Sequence, residues 1–114
     1  MEKKETEHII KKINQIKMKP FLLNSEEIKE LAVKIPGWEI HPKHIERNFS
    51  FKNFIEAFAF MTKVALICEK YNHHPNWENV YSKVFIKFNT HDLGGISNLD
   101  EALATEINNF MIFK

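Results

Sequence analysis

Apolar residues recur along this chain with two periods, and the switching between them outlines the elements. Ile28, Leu31, Ala32 and Ile35 fall at helical spacing. Asn24 precedes them with Glu27 three positions on, the form of a capping box, and Pro36-Gly37 closes the segment. Short strands are predicted around Trp38–His41 and His44–Phe51, with His41-Pro42-Lys43-His44 as the turn between them. In the second strand Ile45, Phe49 and Phe51 share a face that Arg47 interrupts. Asn53–Tyr71 contains no Gly or Pro, and Phe54, Ala57, Phe58, Met61, Val64, Ala65 and Cys68 repeat at helical spacing. Phe60 and Ile67 lie off that stripe, so this helix is expected to be central or to serve a subunit interface as well. Pro75 forces it to end within residues 72–75.

Asn79–Thr90 alternates with period two. Val80, Val84, Ile86 and Phe88 point one way, and Tyr81, Lys83, Phe85, Lys87 and Asn89 the other. One strand of that length exceeds the usual, so a bulge or break is expected near Ser82. His91-Asp92-Leu93-Gly94-Gly95 reads as a loop. Ser97 with Asp100 then starts a capped helix bearing Leu99, Ala102, Leu103, Glu106, Ile107 and Phe110 on one side. The order predicts an α+β domain, an antiparallel sheet of about four strands with helices packed on one face. Ile9, Ile10, Ile13 and Ile16 suggest a short amphipathic helix before Pro20. Residues 1–20 are therefore assigned to an N-terminal extension expected to dock on the body, and residues 21–114 to the domain.

Composition narrows the class. At 114 residues, 44% hydrophobic and 27% charged, the chain suits one globular domain. A formal net charge of +1 gives no basic footprint for nucleic acid. A single cysteine, Cys68, has no internal disulfide partner, and the charged start is neither a signal peptide nor a membrane span. The expectation is a cytoplasmic protein with no membrane or direct nucleic-acid partner.

Three of the six histidines fall between Tyr71 and Asp92. His73 and His74 are adjacent at a helix exit stiffened by Pro75, and His91 follows the alternating segment. Histidine is the side chain best suited to moving protons near neutral pH. Spacing alone leaves three readings open: turn structure, a three-histidine zinc site, or proton transfer. It slightly favours the first. His8, His41 and His44 read as ordinary surface or core residues.

The run from Glu69 through Tyr71-Asn72-His73-His74-Pro75-Asn76-Trp77 to Tyr81, then His91 and Asp100, resembles the signature of the pterin-4a-carbinolamine dehydratases. Glu69, His73, His74, Pro75, Tyr81, His91 and Asp100 meet every position of that signature. The resemblance extends upstream through Gly37-Trp38, Phe51-Lys52-Asn53-Phe54 and Ala57–Met61, and downstream through Thr90, Gly95 and Ser97, covering residues 22–112. Asn72 stands where Asp is frequent in the family, and Glu78 replaces an aromatic or apolar residue.

The resemblance implies dehydration of a 4a-hydroxytetrahydropterin to the quinonoid dihydropterin, with no metal or redox cofactor. It implies His73, His74 and His91 around the pterin, with His74 and His91 moving protons and His73 binding and assisting. Glu69, Asn72, Pro75, Trp77, Tyr81 and Thr90 are the candidate substrate-binding residues. Glu69, one turn before His73, is a candidate to orient its ring. Asp100 is read as a helix cap. The family suggests a homodimer or homotetramer. Some animal members also act as dimerisation partners of a homeodomain transcription factor, so a binding module of the same fold is the alternative.

Overall fold

A computed structural model describes residues 18–112, the side chain of Ile112 excepted. The helix expected near Ile9–Ile16 lies outside the described residues. Three helices and four strands follow in the order α1 (Ser25–Lys34), β1 (Glu39–Ile40), β2 (Ile45–Ser50), α2 (Phe54–Tyr71), β3 (Asn76–Val80), β4 (Lys83–Phe88) and α3 (Asn98–Ile112). The strands form one antiparallel sheet in the order β1-β2-β4-β3. This is the expected α+β architecture. Among the described residues no helix is long and apolar enough to cross a membrane.

Local chemistry sets the boundaries. At the start of α1, Glu27 N–H donates to Asn24 Oδ1 and Asn24 N–H to Glu27 Oε1, both at 2.9 Å, which completes the capping box. Leu31 and Ile35 are buried on the inner side of α1. Gly37 then adopts φ 91°, and a Cβ there would lie 2.8 Å from the Arg47 guanidinium. Arg47 interrupts the apolar face of β2 because it has partners there. Its Nη1 donates to Asn108 Oδ1 at 2.8 Å, and the guanidinium lies 4.8 Å from the Phe49 ring centroid. Trp38 Nε1 donates to the same Asn108 oxygen at 2.9 Å, fastening the first hairpin to α3.

Two expectations are corrected. The break expected near Ser82 is present, at Tyr81-Ser82, but it reverses the chain and makes the alternating segment part of a hairpin rather than one interrupted strand. Tyr81 takes φ 53°, and Asn79 Nδ2 lies 3.0 Å from both the Tyr81 and Lys83 carbonyl oxygens, where it donates across the turn. No Gly or Pro marks that turn, so alternation ran unbroken through it. The reversal leaves Val80 exposed, whereas Val84, Ile86 and Phe88 are buried. The inner stripe of α2 is also rotated from the expected one. Ala57, Phe60, Val64 and Cys68 are buried, while Phe54 and Phe58 face outward. Phe60 is drawn in by an aromatic cluster, with ring centroids 4.6 Å from Phe49, 4.9 Å from Phe51 and 5.7 Å from Phe110.

Candidate functional site at the end of the sheet

The histidine pair owes its geometry to how α2 stops. Asn72 caps the helix in the left-handed region, at φ 51° and ψ 44°, a conformation Asn tolerates better than most side chains. His73 N–H closes the cap on the Cys68 carbonyl at 3.0 Å. Because the cap breaks the helical register, the two neighbouring imidazoles go to different elements. His74 Nε2 lies 2.8 Å from Glu69 Oε2 of α2, whereas His73 Nε2 lies 2.6 Å from Asp100 Oδ1 of α3. Glu69 thus holds His74, and not the His73 that an unbroken i,i+4 register had suggested.

Asp100 is fully buried. Its Oδ2 accepts the Ser97 N–H and the Thr90 hydroxyl, both at 2.8 Å, and Leu99 N–H donates to Ser97 Oγ at 3.1 Å. The expected cap is present, and the same carboxylate also grips a histidine. With Asp100 Oδ2 accepting from Ser97 and Thr90, the 2.6 Å contact engages His73 Nε2 with Oδ1 and leaves His73 Nδ1 without a partner among the described residues. The His73 ring is stacked on Phe88, with centroids 6.3 Å apart and planes inclined by 20°. His91 opens a short 3₁₀ turn after β4, and its imidazole makes no hydrogen bond to the described residues.

Where β3 begins and β4 ends, these groups surround a cavity of about 610 Å³ lined by Asn72, His73, His74, Asn76, Lys87, Asn89, Thr90, His91 and Asp92. That volume is within the range that holds small organic ligands. The sequence-derived set therefore divides. His73, His74, His91, Asn72 and Thr90 come together on the cavity wall, although the Thr90 hydroxyl is committed to Asp100. Glu69 acts behind His74. Pro75 shapes the turn but does not line the cavity. Trp77, opposite Ile86 in register, packs on the core, and Tyr81 is exposed at the far turn of the hairpin. Asn76, Lys87, Asn89 and Asp92 were missed. The outward parity of Lys87 and Asn89 was their one signal in the sequence.

Other titratable groups near the α2 exit are unsuited to neutral proton transfer. Burial, followed by the neighbouring Glu69 charge, pushes the Cys68 thiol up to about 12. Burial and the hydrogen-bonded Glu106 carboxylate push the Tyr71 phenol up to about 12 as well.

The family model described as "Pterin 4 alpha carbinolamine dehydratase" matches residues 22–110. The chain belongs to the pterin 4 alpha carbinolamine dehydratase family. Among its relatives is a Prochlorococcus marinus (strain AS9601) protein named "Putative pterin-4-alpha-carbinolamine dehydratase". It is 76% identical over 91 residues, which is 80% of this chain and 95% of the relative. A second protein of that name, from Prochlorococcus marinus (strain MIT 9313), is 48% identical over 87 residues, covering 76% of this chain and 91% of the relative. A solved structure titled transcriptional coactivator/pterin dehydratase, from Brucella melitensis, superimposes with a TM-score of 0.73 at 36% identity. It covers 78% of this chain and 97% of that one. His73, His74, His91, Asp100 and the cavity-lining residues all fall within the matched residues 22–110.

Proposed function

We propose that this protein dehydrates a 4a-hydroxytetrahydropterin to the quinonoid dihydropterin and water, by histidine acid–base catalysis in the cavity at the end of the sheet. The observation that carries the reading is the convergence of His73, His74 and His91 on one cavity wall, in a chain of this family. The elimination breaks the C4a–O bond and removes the N5 proton. One group must protonate the departing hydroxyl while another accepts from N5, and two imidazoles suit both roles near neutral pH.

In this reading His74 and His91 move the protons. His74 is half-exposed and backed by Glu69, and His91 has no partner to displace among the described residues. His73, fixed through Nε2 by buried Asp100, orients the pterin with its remaining ring nitrogen. Asn72, Asn76 and Asn89 offer amide donors and acceptors for the edge of a pyrimidine ring. The protein acts in the cytoplasm and requires no metal or redox cofactor for this step.

Self-association accompanies this reading. Ile55, Phe58 and Leu66 are all exposed along the outer side of α2, an apolar face suited to a second copy in a homodimer or homotetramer.

The test is stopped-flow dehydration of a 4a-hydroxypterin generated in situ. The wild type should accelerate it, and His74→Ala and His91→Ala should each lower kcat/KM by about 10²–10⁴-fold. A wild type without activity, its histidines intact, would favour the binding-module alternative.

A further inference from the structure

The β1–β2 hairpin carries a second histidine group, next to the cavity through Glu46, the register partner of the cavity-lining Lys87. His41 N–H donates to the His44 carbonyl at 2.9 Å across Pro42-Lys43, and this closed turn sets the two imidazoles face to face. Their ring centroids are 4.4 Å apart and their planes inclined by 10°. Both present Nε2 to the same oxygen, Oε1 of Glu46, at 3.4 Å from His41 and 2.8 Å from His44. Oε2 of Glu39 lies 3.4 Å from His41 Nε2 on the other side. The His41, His44 and Glu46 ligand atoms all fall within 4.8 Å of one another, the one such group among the described residues.

Two features point to a cation. The first is electrostatic: Glu39 and Glu46 are direct register partners, and like charges placed opposite each other on a sheet destabilise it. Lys87 faces Glu46 in register from β4 and Lys43 sits in the turn, yet among the described residues no lysine pairs with either carboxylate within 4.0 Å. The second is metric. A tetrahedral ion about 2.0–2.1 Å from each donor holds neighbouring donors about 3.3 Å apart. The His41–Glu46 and His44–Glu46 contacts of 3.4 and 2.8 Å lie near that edge, and rotation of the two rings out of their stack would aim both Nε2 atoms at one ion. His44 and Glu46 are each 23% exposed, enough for entry from solvent.

We propose that His41, His44 and Glu46 form a three-ligand binding site for a divalent transition-metal ion of the zinc class, with solvent completing its coordination. The Glu46 carboxylate offsets one charge of a dication, and Glu39, 3.4 Å from His41 Nε2, adds a second negative charge nearby. Imidazole nitrogens select zinc, nickel or copper over the oxygen-seeking magnesium and calcium. The ion pins the β1–β2 edge of the sheet.

Calorimetric titration of zinc chloride into the untagged, chelator-stripped full chain tests this. One ion per chain is expected, with no response to magnesium chloride. Glu46→Gln and the double variant His41→Ala/His44→Ala should each weaken zinc binding at least about 10-fold, while His74→Ala binds it unchanged. Absence of saturable binding by the wild type overturns the proposal, as does unchanged affinity in Glu46→Gln. Loss of binding in His74→Ala instead overturns it by moving the ion to the cavity. Should the double variant fail the circular-dichroism check for folding, Glu46→Gln decides alone, because an amide replaces the carboxylate without changing its shape.

Discussion

The two histidine groups of this molecule are built oppositely. At the cavity, three imidazoles stand around a space of about 610 Å³, and the carboxylate partners of His73 and His74 sit behind them. In the hairpin, two imidazoles and a carboxylate turn their donor atoms toward one point. The difference lies in the carboxylates. Asp100 is fully buried, engages His73 and accepts from Thr90 and Ser97, so its capacity goes to orienting a ring. Glu46 is partly exposed, and beyond its contacts with His41 and His44 its carboxylate keeps lone pairs for an ion. Diverging donors with saturated backing suit a molecule, whereas converging donors with unsaturated carboxylates suit a metal ion.

The comparison breaks most readily at Asp100. Asp100→Asn turns an amide toward buried donors, and about 3 kcal/mol of stability should be lost. Urea unfolding will register this as a lower midpoint at unchanged slope. A midpoint close to wild type would mean that the carboxylate is not the anchor described. Next, Asn72→Ala places a less tolerant residue in the left-handed cap and should cost about 1–2 kcal/mol. Because the cap sends the two rings to different partners, kcat/KM should fall as well. Glu69→Gln removes an exposed charge behind His74, so stability should stay within about 0.5 kcal/mol while dehydration slows severalfold. Equal kinetics in that variant would make the contact incidental. The smallest effect belongs to His44→Ala, which should leave dehydration within about twofold and stability within about 0.5 kcal/mol. A large kinetic defect there would join the two groups into one site.

Much of this was legible in the sequence because it depended on neighbours in the chain. The Asn24–Glu27 box, the glycine- and proline-free run of α2 and the Ser97–Asp100 cap are short-range signals, and the sheet's inner face followed from residue parity. The β3–β4 turn was legible only as a break near Ser82, not as a reversal, because Tyr81 adopts a positive φ with no glycine to mark it. The burial of Phe60 in place of Phe58 depends on aromatic partners from β2 and α3, which helical periodicity cannot rank. At the site, the histidines were named by their pattern, but their partners were not. One left-handed residue gave His74 to Glu69 and His73 to Asp100. His41 and His44 looked ordinary because their convergence needs a closed turn and the opposing strand.

Asp100 also bears on how the chain refolds. It joins His73, Thr90 and Ser97, spanning 27 residues to the first of these. The sheet places β2 directly beside β4, with α2 and β3 in the intervening loop. Such a closure is entropically slow, and non-local pairings of this kind govern folding rates. The His73–Asp100 contact joins the end of α2 to α3, so it depends on long-range docking as well. Recovery of the proposed dehydration activity after denaturation should therefore trail the recovery of helical signal, so that activity would time the last step of assembly.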